Sequence, residues 1–375
     1  MKQLIYADNA ATTKLDSDAF EAMKPFLEEE YGNASQPYSF SRTAKKAISK
    51  AREIIASCIG AEPDEIYFTS GGSESDNWVI KSAVFSDGFK RATITSRIEH
   101  HAVLNACTAI ERFGYPVSYL PVSDEGIVQP EQLEQYINDK TRLVSVMLAN
   151  NEIGTIEPIA DLATIAHAHG ALFHTDAVQA VGHIPIDVNA LGVDMLSASA
   201  HKFNGMKGSG FLYIRKGVDI CSFVDGGAQE YGKRAGTENV AAITAMAVAL
   251  RKNCDRMKSV ERKLRKLEMI LLDGLTSSGI FYMRNGSCNH LPGNVNISIR
   301  NVDGEMLLHR LDLKGISVST GSACDSVNTR VSHVIEAIHV PDEYAKGTIR
   351  ISFGAENTED DAAAIARELI SIIKR

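Results

Sequence analysis

Nowhere does an apolar run in this chain approach the roughly 20 residues of a bilayer-spanning helix, so a helical membrane protein is set aside. The opening MKQLIYADNAATTKLD lacks the apolar centre and small-residue cleavage site of a secretory leader. Clustered Lys and Arg are missing too. The net charge is −8 and the acidic excess is spread along the chain, which argues against direct nucleic-acid binding. The six cysteines (Cys58, Cys107, Cys221, Cys254, Cys288 and Cys324) show no CxxC spacing. Neither a metal site nor a disulfide framework is therefore expected, and a reducing cytoplasm fits best. There is no internal repeat, no low-complexity tract, and neither GxxxxGK[ST] nor GxGxxG, which disfavours a nucleoside triphosphate or a dinucleotide.

What is present is a β–α alternation. A chain of 375 residues exceeds one typical core, so a large and a small domain are expected. EIYFTS, RATITSR, VSYLPV, TRLVSVMLA, ALFHTDA and MLSASA read as strands, with helical patterns at ESDNWVIKSAVFS, HAVLNACTAIERFG and IADLATIAHAHG. That order predicts an α/β fold, a mostly parallel sheet covered on both faces by helices. A smaller α+β unit follows, with strands at NVNISIR, ISVST and TIRISFG and helices at GEMLLHRLDL and TEDDAAAIARELISIIKR. The last helix opens with Thr358 three residues before Asp361, a variant capping box. The expected division is 14–255 for the large domain, with 1–13 and 256–375 forming the small one.

Chemistry collects at strand ends. After EIYFTS come Gly71, Gly72 and Ser73 at a helix start, a phosphate cup or else a tight turn with an ordinary cap. Asp176 closes the ALFHTDA strand, where parallel sheets line their ligand crevices, although a helix cap is the bland reading. Lys202 follows MLSASA beside Ser199 and His201. Alone it would be a solvated lysine. With the cup and the acidic strand end it supplies the parts that hold pyridoxal 5'-phosphate: an amine for the aldehyde, a carboxylate for the ring nitrogen and a cradle for the phosphate. His100 in IEHHAV could lie over the ring, but spacing does not separate it from His101. No metal is expected.

YADNAATT, FTSGGSESDN, EHHAV, ANNEIG, HTDAVQA, SASAHKFNGMKGSG, RAGTEN and STGSACDS occur in this order. Together they resemble the cysteine desulfurases, a branch of the class V aminotransferases, from about Tyr6 to the last helix. The resemblance implies the type I, aspartate-aminotransferase fold. It makes Lys202 the lysine that bonds the cofactor, Asp176 the partner of the pyridine nitrogen, Gln179 a donor to the phenolic oxygen and His100 the stacking ring. Gly72, Ser73, Ser199 and His201 would hold the phosphate. Thr237 would reach the phosphate of a second subunit, which implies a homodimer. Asn151 and Arg350 would orient the cofactor and clamp the substrate carboxylate, a task suited to a guanidinium, with Asn33 assisting.

Cys324 narrows the chemistry. Gly321, Ser322 and Ala323 precede it, a loop composition, whereas Cys107, spaced with Leu104, fits a core position. As a thiolate, Cys324 would attack the sulfur of L-cysteine after Lys202 removes the Cα proton, leaving alanine and a persulfide for an acceptor. That acceptor would be an iron–sulfur scaffold or a transfer-RNA thiolation enzyme. Asp325, where relatives commonly have an uncharged residue, works against thiol ionisation, and Gln229 stands where many have histidine. Because the chain ends at Arg375 just after its last helix, the tail by which housekeeping relatives hold their scaffold is expected to be absent. The competing readings are another class V aminotransferase, a selenocysteine lyase, and a non-catalytic sulfur-transfer scaffold.

Overall fold

The short β-branched runs form strands in a computed structural model that describes residues 4–85, 91–320 and 331–374. In chain order the strands are β1 (Ile5–Tyr6), β2 (Ile66–Thr69), β3 (Ala92–Ser96), β4 (Val117–Leu120), β5 (Thr141–Ser145) and β6 (Leu172–Asp176). They continue with β7 (Met195–Ser199), β8 (Gly210–Ile214), β9 (Tyr282–Arg284), β10 (Asn294–Ile299), β11 (Ile316–Ser317) and β12 (Thr348–Ser352). Among the described residues, seven of them make one sheet in the order β2-β8-β7-β6-β5-β3-β4. Its strands run parallel except β8, which is antiparallel to both neighbours. The mostly parallel sheet expected from the alternation is present. β8 was not read from the sequence, because GFLYI is a uniform apolar run that carries no period.

Helices cover the sheet. The Arg42–Ile59 helix, also unread, buries Ala44, Ile48, Ala51, Ile55 and Ile59 along one stripe and stops at Gly60, whose φ of 72° gives the left-handed cap. The 38-residue helix Val240–Ser277 serves two cores. Its Ala245, Met246 and Leu250 pack with Phe173, Leu196 and Phe211 of the large sheet. Further along, Leu264, Leu267 and Leu271 pack with Val295, Ile297, Ile349 and Ile351. This second core covers an antiparallel sheet in the order β12-β10-β9. The chain's beginning joins it, because β1 pairs in parallel with β11 and Ala7 is buried there.

Two strands are shorter than the sequence implied, for a reason that matters to the site. TRLVSVMLA pairs with β3 only as far as Ser145. Beyond it the Met147 N–H donates to the Glu99 carboxylate at 3.0 Å, so a side chain replaces the ladder where the sheet opens. ISVST is a strand only at Ile316–Ser317, with one isolated bridge from Ser319 to Arg350. The final helix is capped as expected, Thr358 and Asp361 exchanging bonds with each other's backbone N–H. No helix among the described residues is long and apolar enough to cross a membrane.

Candidate functional site

A cavity of about 630 Å³ opens at the carboxyl ends of the parallel strands, the place where open α/β sheets bind ligands. Each wall comes from a strand end or a helix start. Thr69 closes β2, and the backbone turns through Gly71 at φ +144° into the Gly72–Phe85 helix. A side chain at Gly72 would drive its Cβ to 2.5 Å from Val178 Cγ2, so only glycine lets the helix start meet β6. The free N–H groups and positive dipole end of that start face the cavity, as an anion requires. Gly72 and Ser73 line it, together with Ser199 and His201.

Lys202 sits between β7 and β8. Its Nζ donates to the carbonyls of Ala10 at 2.5 Å and Ala11 at 3.0 Å, and its own carbonyl is 2.8 Å from His183 Nε2. The amine therefore rests on the N-terminal segment, which Thr13 fixes by donating from both its N–H and its hydroxyl to the His201 carbonyl. Gln179 Nε2 donates to Ala10 O at 2.9 Å, and His201 Nδ1 lies 3.1 Å from Thr12 Oγ1.

Asp176 ends β6 and is 4% exposed. Its Oδ1 accepts from Val178 N–H at 2.9 Å. Burial pushes its carboxyl up to about 6, against the pull of that N–H and of the Lys202 charge. His100 caps the His101–Glu111 helix, its Nδ1 accepting from Ala102 N–H at 3.1 Å. That bond makes Nδ1 the acceptor of the neutral ring. Burial foremost, then the charges of Lys202 and His101, brings His100 down to about 4. The two histidines are now separated: His100 borders the cavity, whereas the His101 ring stands 4.9 Å from that of His333.

Arg350, on β12, forms the far end. Nη2 donates to Asp8 Oδ1 at 2.7 Å and Nη1 to the Asn151 carbonyl at 2.9 Å, while the buried Nε has no hydrogen-bond partner among the described residues. Asn151 also lines the cavity.

The structure thus brings together Lys202, His100, Gly72, Ser73, Asn151, Asp176, Gln179, Ser199, His201 and Arg350 around one space. Two expected residues stand apart from it. Thr237 is exposed, on a loop that Arg234 ties to the cup through a two-point pair with Glu74 at 2.8 and 3.1 Å. Asn33 is spent on its own turn, its Oδ1 accepting from Ser35 N–H at 2.9 Å. Cys324, with Asp325 and Gly321–Ala323, lies outside the described residues. Cys107 is fully buried and burial pushes its thiol up to about 12, in keeping with a core role. Gln229 accepts from Gly236 N–H at 3.2 Å.

Three residues went unread in the sequence. Asp8 holds Arg350 from 342 positions away, a separation no local pattern encodes. Glu99 and Asp76 sit inside EHHAV and GGSESDN, where flanking residues drew the attention. Buried acids among the residues of two such motifs were the available signal.

The space suits a phosphate-bearing aromatic aldehyde. It has an amine in its wall, a helix start for the anion and a buried carboxylate for a protonated ring nitrogen. Two buried polar atoms of the lining, Arg350 Nε and Asp76 Oδ1, have no hydrogen-bond partner among the described residues.

Known proteins agree with this geometry. The sequence profile of the family described as aminotransferase class-V matches residues 5–365. A protein named cysteine desulfurase IscS from Dictyoglomus turgidum is 49% identical over 363 residues, 96% of this chain and 92% of that one. A solved structure titled NifS-like protein superposes with a TM-score of 0.94 at 38% identity, covering 99% of this chain and 100% of the other. Another, titled SspA in complex with cysteine, gives 0.84 at 34% identity over 96% of this chain and 100% of that chain. With the profile spanning nearly its full length and close sequence kin carrying one name, the chain belongs to the class-V aminotransferase family, in its cysteine desulfurase branch.

Proposed function

We propose that this protein is a cysteine desulfurase: it binds pyridoxal phosphate in the cavity, removes the sulfur of L-cysteine, releases L-alanine and carries the sulfur as a persulfide on Cys324. The observation that carries the reading is the convergence of Lys202, Asp176, His100 and Arg350 on one space. When bound, the cofactor supplies an electron sink next to the substrate Cα.

The chain's own groups do the rest. Lys202 would hold the cofactor by its aldehyde, and its free amine would be the base for the Cα proton. Asp176 would hold a proton at the ring nitrogen, and the neutral His100 ring would stack on the cofactor. Gly72, Ser73, Ser199 and His201 hold the phosphate, and Gln179 the phenolic oxygen. Arg350 pairs with the substrate carboxylate, and Asn151 lines the same end. Cys324 is the nucleophile that takes the sulfur and hands it to an acceptor protein of iron–sulfur assembly or of transfer-RNA thiolation. Thr237, exposed and outside its own chain's cavity, is assigned to the phosphate of a second subunit in a homodimer. Its anchored loop supports that reading. The free thiols of the described cysteines suit a reducing cytoplasm.

The test supplies L-cysteine and a thiol reductant to the purified protein and measures alanine and sulfide. Both should form in equal amounts, and Cys324→Ser should abolish sulfide release and persulfide labelling while the yellow cofactor band remains. Full turnover of Cys324→Ser would make the protein an aminotransferase and end the proposal.

Asp8 gives a second expectation. Its bond to Arg350 is charge-assisted, a class worth about 1.5–3 kcal/mol. Asp8→Ala should loosen the clamp and raise KM for cysteine about tenfold with kcat little changed, the pattern of lost uniform binding. An unchanged KM in steady-state kinetics would show that Arg350 needs no such support.

A further inference from the structure

The cavity wall holds a second carboxyl that the scheme above leaves idle. Asp76, on the Gly72–Phe85 helix, borders the same space and is 1% exposed. The Ser197 hydroxyl is placed to donate toward its carboxyl, while Oδ1 has no hydrogen-bond partner among the described residues. Behind it runs a chain of neutral groups. His174 Nε2 lies 2.9 Å from Ser197 Oγ, and His174 Nδ1 lies 2.8 Å from Ser145 Oγ.

The Gly72–Phe85 helix packs on β2, β3, β5, β6, β7, β8 and the His101–Glu111 helix. The titratable groups that act on Asp76 from these are Asp176 and His174 on β6 and Glu99 beyond β3. Lys202 and His100 share the cavity. Among the described residues, the one basic group within ion-pair distance of Asp76 is His174, at 3.8 Å, and burial holds that imidazole down to about 3, hence neutral. Two ionised carboxylates in one dry wall repel each other and lack solvation, so one keeps its proton. Asp176 has the Val178 N–H and the Lys202 charge to favour its ionised form. Among the described residues Asp76 has no such cation, and burial together with the Asp176 charge pushes it well up against the pull of the Ser197 side chain.

We propose that Asp76 is a positioning residue that works as a neutral carboxylic acid, keeping its proton so that Asp176 is the single anion presented to the ring nitrogen of pyridoxal phosphate. The Ser197–His174–Ser145 chain fixes it in place. The inference rests on the cofactor reading above and deepens it.

The test is a titration of apo-protein with pyridoxal phosphate, followed by absorbance from pH 5 to 9. Below about pH 6 Asp176 takes up a proton that it must lose to pair with a protonated ring, so affinity falls as the pH drops. The cofactor's own titrations are common to all variants. Asp76→Asn, isosteric and neutral, should bind within threefold of wild type and keep the acid limb at the same pH. Asp76→Leu, which strands Ser197 and His174, should bind at least tenfold more weakly. An acid limb in Asp76→Asn moved down by a unit or more would mean that a negative charge had been removed, and would overturn the proposal. So would an Asp76→Leu protein that binds like wild type. Should Asp76→Leu not fold, Ser197→Ala takes its place, with weakened binding expected and unchanged binding overturning. Wild-type protein that takes up no cofactor would sink the underlying reading instead, so the two failures are distinct.

Discussion

Lys202→Ala should abolish cysteine turnover, with a loss of about 10⁴-fold or more. Positioned proton transfer alone contributes up to roughly 10⁴, and the covalent attachment of the cofactor is lost with it. The substitution removes one amine that donates to two backbone carbonyls, Ala10 O and Ala11 O. Those carbonyls border the open cavity, where water can serve them, so the fold should survive. Two measurements check it: alanine formation from L-cysteine, and borohydride reduction followed by mass spectrometry. Wild type should gain the mass of the reduced cofactor at Lys202 and the variant none. Near-normal turnover in the variant would move the reaction to another amine and undo the site.

The largest stability effect is expected away from the chemistry, at Arg52. This guanidinium lies on the Arg42–Ile59 helix and meets the Glu230 carboxylate in two parallel bonds of 2.8 and 2.9 Å. Both side chains are under 10% exposed, at 9% and 3%. Arg52 also donates to the Ile66 carbonyl, and Glu230 accepts from Phe68 N–H at 2.9 Å. The guanidinium carbon stands 4.5 Å from the centre of the Phe68 ring. A buried pair is not in itself strongly stabilising, but removing one member leaves the other charged and unsolvated. Arg52→Ala should therefore cost about 3–5 kcal/mol, read as a lower urea midpoint at unchanged slope. The double replacement Arg52→Met with Glu230→Gln should recover much of the loss, because no lone charge remains. A shift under about 1 kcal/mol for the single variant would show that water reaches Glu230. Since β2 leads directly into the phosphate cup, the same variant should also lower cofactor occupancy.

The fold and the site were legible to different depths. Strand ends and helix starts stood out because parallel strands buried on both faces read as continuous apolar runs, and the residues that follow them must be polar or glycine. Hence Asp176, Gly72 and Lys202 could be placed before any coordinates. β8 could not, since GFLYI has no alternation and periodicity alone does not tell so short an apolar run from a buried helix segment; its antiparallel direction is set by the return from Lys202. The Asp8–Arg350 contact was invisible for another reason: it joins the two ends of the chain, and nothing local to either residue announces the other. Asp76 is the instructive case. Its neighbours in GGSESDN read as a phosphate cup, so the acid read as part of an ordinary helix. Only the packing of the Gly72–Phe85 helix against β6 and β7 turns it toward Asp176. His100 and His101 could be ranked only once the cap geometry gave one ring the cavity and the other a neighbour on a different helix.

The parallel pairing of β1 with β11, together with the Asp8–Arg350 bond, sets a timetable for the newborn protein. On the ribosome the first strand emerges about 310 residues before its partner, and Asp8 waits still longer for its guanidinium, some 20–70 s at ordinary elongation rates of about 5–20 residues per second. The large sheet can condense during that wait, whereas the Arg350 end of the cavity closes only after nearly the whole polypeptide has been made. A nascent chain thus holds Lys202 against its N-terminal segment well before the cavity's last wall exists.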